Sequence, residues 1–445
     1  MGMVGEIPGI RRNPHLHWIN FAAFFTMFSE GWKLPPSAMG DVRVGYFLIP
    51  PLFISLVYFL KGVYLPRAFT AGFLILIAAS VFNVFQGKNQ FPLLLKQIIG
   101  IYLNAVCFYM ILKANNWDVR PLFRMYLAFC IPLGYFAIAQ EIAFMLGIEP
   151  IYNLSWLFPD YGLAISGEVL LRVRTILPEP AFFGLAMIPA FFAAIHSLMG
   201  HENRFLSPMN SLAVMAGLAC SFSSIAYIGV GVCLILLMIN LKKFRHLILI
   251  CTVLPMLAIL AYNSVEDFRT RIDATINYLD QSESLEDLNL SNFALFSNMH
   301  VAFMSFKENP LFGSGLGSHK VSYNRHIGEV VDLEKSKNLL NKEDANSLFF
   351  RLVSETGLAG IFLFFFFLFK FRISKDADPT NRLWVINNAI MALLILRLIR
   401  FGHYFDLGFF LLFWMYYAVH LETRTLKAAK ASKPRSEIQI ATVTG

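Results

Sequence analysis

Two closely spaced arginines, Arg172 and Arg174, give the chain its clearest chemical signal. They precede Glu179 and Pro180, and a proline in the first turn marks the start of a helix. Guanidinium groups beside a helix amino terminus suit a pyrophosphate, because both supply positive charge and N–H donors. A second interpretation is that the arginines only anchor a helix at lipid headgroups. Glu179 is a candidate proton acceptor, or it locks an arginine in place.

A second group lies in the longest polar stretch, where three alternating glycines within residues 309–317 allow a tight backbone path. The glycines alone are a weak phosphate signal, since no Walker or Rossmann context surrounds them. His319 and His326 are candidate proton acceptors because imidazole titrates near neutrality, although a loop histidine is more often solvated. Arg325 adds a cation for substrate binding. The ring of Tyr323 is placed either to stack on a sugar face or to join an interfacial aromatic belt.

Arg397, Arg400 and His403 form a third group, which lies between two apolar segments with almost no loop. Two arginines three positions apart share one helix face, and burying both near a membrane without a function is costly. We therefore expect an anion site that faces the protein interior rather than a headgroup anchor. His403 joins Glu179 and His319 as a candidate general base.

These residues must be positioned by membrane helices. The chain has 445 residues, of which 57% are hydrophobic and 15% charged, and its apolar runs reach the length of a spanning helix. Continuous runs of this length predict an all-α polytopic membrane protein rather than a barrel. The five cysteines lie in apolar segments without ligand spacing, so the sequence suggests no metal centre and no redox cofactor. The net charge of +8 lies in short loops and the tail, which indicates topology rather than nucleic-acid binding.

The length criterion predicts about twelve transmembrane helices. They cover residues 15–29, 44–60, 67–86, 93–112, 121–147, 178–199, 209–221, 222–240, 246–262, 346–371, 383–400 and 403–420. The pair within 209–240 has a second interpretation as one long helix that is broken near Ser221. Short basic loops place both termini in the cytoplasm, so the longest polar loop lies on the outer face.

The predicted domain organisation therefore has four parts. A first transmembrane bundle covers 1–262, a large outer loop with helical stretches near 271–278 and 292–306 covers 263–345, and the last three helices cover 346–420. A basic tail, 421–445, is polar without an apolar face and is predicted to be disordered.

Several short motifs occur in an order typical of one family. The first motif is an Arg followed by Glu-Pro-x-x-x-Gly, which opens a helix, and the second is a serine-containing break between two helices. The third, Asn-Pro-Leu-Phe-Gly-x-Gly-Leu-Gly, lies in the large loop. The fourth, Asn-Ser followed by Glu-Thr-Gly-Leu-x-Gly, enters the next helix. These motifs lie at Arg174 to Gly184, Ser221 to Tyr227, Asn309 to Gly317 and Asn346 to Gly360. Together they resemble the bacterial O-antigen polymerase and ligase superfamily.

The resemblance implies a glycosyltransferase of the GT-C type with no metal ion and no cofactor. Its substrates are a donor and an acceptor oligosaccharide linked to undecaprenyl pyrophosphate, and its site lies at the periplasmic face of the inner membrane. Family arginines hold the lipid pyrophosphate, which fits Arg172, Arg174, Arg397 and Arg400. Membrane lipid is a further partner, and a chain-length regulator protein is one that the sequence does not identify.

Asn346 is a further candidate for substrate binding, and it departs from part of the family. Ligases of this superfamily carry a histidine at this position, whereas this chain has Asn346 followed by Ser347. The difference favours a polymerase of surface polysaccharide such as O-antigen, unless His319, His326 or His403 supplies the histidine. The alternatives are a ligase that transfers glycan to lipid A core, a transporter or flippase of lipid-linked oligosaccharide, and a scaffold or sensor. The transporter is less favoured because the two halves of the chain show no internal repeat.

Overall fold

The computed structural model describes most of the chain. Described residues are 14–32, 43–158, 161–166, 170–199, 204–243, 262–263, 266–280, 284–285, 288–332, 339–378 and 382–431, together with single residues at 245, 248, 252, 256 and 259. The predicted span at 246–262 therefore lies almost wholly outside the described residues.

Apolar helices form a bundle within the described part of the chain. They are α1 (Pro14–Phe28), α2 (Val44–Leu60), α3 (Arg67–Phe85), α4 (Phe91–Ala114), α5 (Val119–Met145), α7 (Pro180–Leu198), α8 (Pro208–Ala219), α9 (Ser224–Asn240), α13 (Leu348–Lys370), α14 (Leu383–Ile399) and α15 (Phe409–Ala431). Of these, α3, α4, α5, α7 and α13 are long and apolar enough to cross a membrane, and four others are apolar but shorter. The protein is thus an all-α membrane protein, as predicted, while the number of twelve spans stays a prediction.

Shorter elements lie between these helices. They are α6 (Glu149–Tyr152), the antiparallel strands β1 (Ile165–Ser166) and β2 (Leu170–Leu171), α10 (Glu266–Leu279), α11 (Leu290–Glu308) and α12 (His319–His326), with 3-10 turns at Ile327–Glu329, Lys375–Ala377 and Asp406–Gly408. Helices α10 and α11 confirm the helical stretches predicted for the large loop.

Helices α10 to α12 and the described residues between them form a small domain, which we call the cap. It has its own apolar core, separate from the core of the bundle, in which Phe293, Phe296, Val301 and Ile327 are buried.

The cap, the residues just before α7 and the loop 400–408 lie at the same end of the bundle. Arg325 of the cap donates to the carbonyl of Gly87 after α3, Arg351 at the start of α13 donates to the carbonyl of Gly402, and Phe401 packs on Phe182 at the start of α7. We call this end the cap face.

The cap joins the bundle where helix α13 is broken. Gly357 has a φ of +58°, which interrupts the helix and frees backbone groups on both sides of the break. The freed N–H groups of Leu358 and Ala359 donate to the carbonyls of Pro310 and Leu311 at 2.9 and 3.0 Å. Broken backbone in a membrane protein is tolerated when protein groups satisfy it in this way.

The glycines of residues 309–317 make this contact sterically feasible. A Cβ added at Gly313 would lie 2.5 Å from the backbone of Glu355, and one at Gly317 would lie 2.9 Å from the carbonyl oxygen of Leu93. Gly315 donates its N–H to the carbonyl of Glu355 at 3.0 Å. The glycine motif therefore packs the cap against the bundle, and the structure gives it no phosphate-binding geometry.

The last helix differs from its predicted bounds at both ends. It begins at Phe409 rather than at residue 403, because residues 400–408 are folded into a compact loop at the cap face. It continues as a helix to Ala431, so the prediction of disorder from residue 421 is wrong for its first part. Residues 432–445 lie outside the described part.

Candidate functional site

Arg174 lies in a buried turn just before α7. Its guanidinium carbon is 3.5 Å from the centre of the Tyr161 ring, and its Nη1 donates to the carbonyl of Pro178. The Nε and Nη2 atoms are buried and have no hydrogen-bond partner among the described residues. Buried donors without acceptors cost free energy, and charged donors cost most. Two donor atoms of the Arg174 side chain are therefore left without an acceptor in the described structure.

The amino terminus of α7 lies beside this arginine. Glu179 occupies the capping position in an extended conformation with φ −145°, and its side chain forms no capping hydrogen bond. Pro180 follows at the first helical position, as the sequence predicted. The positive end of a helix of 19 residues is thus not used by its own cap residue. Glu179 itself is exposed to solvent.

The segment that carries both arginines is hydrogen-bonded to α5, before the carboxyl end of that helix. Arg172 is half-buried, and its Nε donates to the carbonyl of Phe222 in the break between α8 and α9 at 3.2 Å. Helix α8 has 12 residues, a length of about 18 Å, so this break does not reach the full height of a bilayer of about 30 Å.

An aromatic contact brings the third sequence group to the first. The rings of Phe182, at the start of α7, and Phe401, in the loop 400–408, have centres 4.3 Å apart. Arg400 precedes Phe401, is half-buried, and its side chain has no ion pair or hydrogen bond among the described residues. The loop thus brings the residue next to a second arginine into contact with the start of α7.

Arg397 has a different role from the predicted one. It is fully buried, and its Nη1 and Nη2 donate to the carbonyls of Asp406 and His403, the first at 2.6 Å. Its guanidinium also packs 4.9 Å from the centre of the Phe409 ring. Two of its donor atoms are therefore engaged by the backbone of the loop 400–408. Its Nε is buried without a partner among the described residues, so the loop offsets only part of the cost of burying this arginine.

The same loop aligns His403 with a buried carboxylate. His403 Nδ1 lies 3.1 Å from Asp406 Oδ1, which also receives Arg43 Nη1 at 2.9 Å and the hydroxyl of Tyr46 at 3.1 Å. Burial acts to raise the pKa of Asp406, but its interactions with His403 and the positive charge of Arg43 outweigh that effect and hold the pKa well below its usual range.

An ionised Asp406 fixes the tautomer of His403. Its carboxylate accepts from Nδ1–H, whereas the backbone N–H of Phe405 lies farther from Nδ1, at 3.4 Å. We therefore assign the proton to Nδ1, which leaves Nε2 as a proton acceptor. The His403 side chain is 27% exposed, so this nitrogen is open to a substrate. A histidine oriented by a buried carboxylate is a recurring general-base arrangement.

His319, another predicted base, is enclosed. Its Nδ1 lies 2.9 Å from the hydroxyl of Ser354 and its Nε2 lies 3.0 Å from Asn298 Oδ1, and the side chain is fully buried. Burial first, and the charge of Arg351 second, lower the pKa of His319 to about 3. Both ring nitrogens are occupied, so this histidine joins α11, α12 and α13 rather than facing a substrate.

Three other predicted residues belong to the cap. Arg325 donates to a carboxylate oxygen of Glu308 at 3.0 Å, and His326 lies between Glu308 and Glu329 at 3.1 and 2.8 Å. Tyr323 is fully buried in the cap core, so its ring is not available to stack on a sugar. None of the three approaches Arg174 through a described contact.

Asn346 connects the base of the cap to the loop 400–408. Its backbone carbonyl accepts from the N–H of Phe401 at 2.8 Å, and its side chain is buried with Nδ2 unpaired among the described residues. Its φ of +59° is one that asparagine tolerates better than most residues. The position at which ligases carry a histidine is thus in contact with the loop that carries His403.

The sequence analysis missed the residues that hold this loop. Arg43 and Tyr46 are separated from Asp406 by about 360 positions, yet both contact its carboxylate. Arg43 also pairs with Glu30. Charged residues at the ends of neighbouring spans were a usable signal, but such residues usually face headgroups.

A second missed cluster lies in α13. Arg351 and Glu355 form a fully buried ion pair of 3.0 Å, and Arg351 also donates to the carbonyl of Gly402 and to Gln97, both at 3.1 Å. The hydroxyl of Tyr404 donates to Glu355 at 3.1 Å. Opposite charges four positions apart inside an apolar helix were the signal for this pair.

Comparison with known families gives an independent result for one part of the chain. Residues 209–365 match the family described as O-antigen ligase. This segment is similar to the O-antigen ligase family. The match runs from α8 through the cap into α13, and it confirms the resemblance to the O-antigen polymerase and ligase superfamily. No curated protein matches the chain significantly.

The O-antigen ligase family contains both ligases and polymerases, and its members are glycosyltransferase-like enzymes. The matched segment includes the glycine motif, the break at Gly357 and the Arg351–Glu355 pair. Arg174 and His403 lie outside it. The family match and the site geometry are therefore separate observations about the same fold.

Proposed function

We propose that this protein is a glycosyltransferase that polymerises oligosaccharide repeat units linked to undecaprenyl pyrophosphate. The observation that carries the proposal is Arg174, whose Nε and Nη2 are buried beside the amino terminus of α7 and have no partner among the described residues. Such a site fits a dianion that enters from the membrane interface, and a lipid pyrophosphate has that charge and that location.

In the proposed mechanism a set of positively charged and N–H donors, which we call the clamp, acts on the leaving group. Arg174, Arg172, Arg400 and the first turn of α7 stabilise the negative charge that develops on the pyrophosphate as its bond to the anomeric carbon breaks. Fixed donors in a partly buried site are effective here because they need no reorganisation during the reaction. In this proposal the cations of the site are guanidinium groups, and no metal ion is required for the clamp.

His403 acts on the acceptor. The acceptor hydroxyl attacks the anomeric carbon from the face opposite the pyrophosphate, its proton passes to His403 Nε2, and the linkage is inverted. Asp406 holds the ring and stabilises the imidazolium that forms. Glu179 is the second candidate for this base, because its exposed carboxylate lies at the same helix end.

The orientation in the membrane follows from charge. If the cap face is periplasmic, the short basic loops at the other end, such as 61–67 and 113–120, are cytoplasmic, in agreement with the positive-inside rule. We place the protein in the bacterial inner membrane on this basis. Two lipid-linked substrates would then meet in the plane of the membrane, where proximity supplies part of the rate enhancement.

Ligase activity is the second candidate function. The backbone contact between Asn346 and Phe401 brings the loop of His403 to the position at which ligases carry a histidine. His403 would then act on a hydroxyl of lipid A core instead of on a second lipid-linked unit.

The test uses purified protein in nanodiscs with lipid-linked repeat units. We expect a ladder of polymer, which Arg174→Ala abolishes while Arg269→Ala, a change at an exposed arginine of α10, leaves it intact. A single product on added lipid A core would support the ligase instead. Substrate movement across the bilayer with no new glycosidic bond would contradict both and support a transporter.

A further inference from the structure

We propose that Gln140 and Tyr161 are positioning residues that hold Arg174 in its anion-binding orientation by fixing Thr175. This inference rests on the proposed function, because it assigns a purpose to the orientation of Arg174. It identifies residues outside the family match and outside the three groups that the sequence singled out.

Gln140 and Glu141 attach the arginine segment to α5. Gln140 Oε1 accepts from the N–H of Thr175 at 3.1 Å, and Glu141 Oε1 accepts from the N–H of Leu171 at 3.3 Å. Both side chains are buried, and together they bind the two ends of the segment that contains Arg172 and Arg174. They lie about 7 Å along the helix axis before the carboxyl end of α5. The segment with the two arginines is therefore attached inside the bundle, and not at the end of α5.

A closed set of hydrogen bonds surrounds Thr175. Gln140 Nε2 donates to the hydroxyl of Tyr161 at 3.2 Å, and that hydroxyl donates to the carbonyl of Thr175 at 3.1 Å. Gln140 Oε1 already holds the N–H of the same residue. Both backbone groups of Thr175 are therefore fixed by two side chains that also bind each other.

This arrangement holds an unfavourable backbone conformation. Thr175 has a φ of +54°, which is strained for a β-branched residue, and it is fully buried. Such a conformation persists where surrounding contacts determine it, and it concentrates at functional sites. Here it turns the chain directly after Arg174, whose carbonyl accepts from the Thr175 hydroxyl at 2.7 Å.

Tyr161 contributes a second contact to the same side chain. Its ring stacks on the Arg174 guanidinium at 3.5 Å, while its hydroxyl belongs to the set of bonds around Thr175. A planar guanidinium stacked on a ring keeps its edge donors directed outward. The ring thus covers one face of Arg174, and Nε and Nη2 are left for the anion.

The test measures binding of farnesyl pyrophosphate to the full-length protein in detergent, by isothermal titration calorimetry. For Gln140→Leu and for Tyr161→Phe we expect about tenfold weaker binding, because each change removes a buried hydrogen bond that fixes the backbone next to Arg174. Gln86→Leu, a change at an exposed glutamine of the cap face, is the matched control and should bind as the wild type does.

A second substitution separates positioning from folding. Glycine adopts positive φ without strain, so Thr175→Gly added to Gln140→Leu should recover part of the lost affinity. A residue that only supported the fold would give no such recovery, and a loss of melting temperature would accompany the loss of binding.

The outcomes distinguish the two proposals. Failure of the wild type to bind farnesyl pyrophosphate would overturn the proposed function. Wild-type binding that Arg174→Ala removes and Gln140→Leu retains would overturn the positioning role alone. Absence of recovery in the double variant would also overturn it.

Discussion

His403 Nδ1 and Asp406 Oδ1 lie 3.1 Å apart in the loop between α14 and α15, and the carboxylate is buried while the imidazole is partly exposed. Three donors converge on the one oxygen of Asp406, from His403, Arg43 and Tyr46. A carboxylate held in this way can orient an imidazole without taking its proton.

Replacement of Asp406 by asparagine should therefore affect catalysis through the tautomer of His403. An amide at this position can donate to Nδ1 and turn the basic nitrogen inward, and we expect kcat to fall by about 10³-fold or more with little change in KM. Initial rates of polymer formation across donor concentrations measure both constants. A normal kcat in a well-folded Asp406→Asn protein would exclude His403 as the base.

The melting temperature should fall between pH 7 and pH 5 because of His319. The pKa of His319 is lowered to about 3 by burial and by Arg351, so over this range the unfolded chain binds a proton that the folded protein does not. Stability from the neutral histidine is present above pH 6.5 and decreases as pH falls, by about 2 kcal/mol at pH 5. His319→Gln should flatten this pH dependence in a fluorescence melt. An equally steep decline in the variant would contradict the environment described here.

Arg397 and Arg174 should respond differently to the same substitution. Arg397→Met leaves two buried carbonyls of the loop 400–408 without donors, at a cost of about 2–4 kcal/mol, and should lower the melting temperature by about 5 °C or more. Arg174→Met removes two unpaired buried donors together with one hydrogen bond to the Pro178 carbonyl, so it should change the melting temperature less than Arg397→Met does while it abolishes prenyl pyrophosphate binding. The reverse pattern would mean that Arg397 is the anion ligand.

Removing one partner of the buried Arg351–Glu355 ion pair in α13 should lower the free energy of unfolding strongly. Glu355→Gln leaves the charge of Arg351 without its counterion in a fully buried site, and we expect a loss of about 3–5 kcal/mol. The double variant Arg351→Met with Glu355→Leu should lie closer to the wild type, because no charge remains buried. Chemical denaturation of the three proteins in one detergent measures these differences. Additive losses would contradict a direct pair.

The break in α13 should require glycine. An added Cβ at Gly357 would lie 2.6 Å from the carbonyl oxygen of Pro310, and its φ of +58° with ψ of −151° is unfavourable for alanine by about 1–3 kcal/mol. Gly357→Ala should therefore lower the melting temperature and loosen the cap, which limited proteolysis detects. Gly72→Ala is the matched control, since a Cβ there meets nothing within 4 Å and alanine favours the helix. Equal effects of the two changes would argue against the packing described for the glycine motif.

The sequence by itself predicted where most helices of the bundle lie, where the cap lies, and that the central segment resembles the O-antigen polymerase and ligase superfamily. Hydrophobic length and proline position act locally, so the bounds of α2 and α7 follow within about two residues from the chain alone. The end of α15 was missed because a polar helix has no apolar periodicity to reveal it.

Only the tertiary structure decided which residues of each type are available for chemistry. Arg174 and Arg397 are both buried arginines beside apolar segments, but the carbonyls of a folded loop reach two donor atoms of Arg397, whereas two donor atoms of Arg174 have no acceptor in the described structure. His319 and His403 differ in the same way, since one is enclosed by two helices and the other faces solvent. These differences depend on partners far away in the chain, and local sequence pattern carries no information about such contacts.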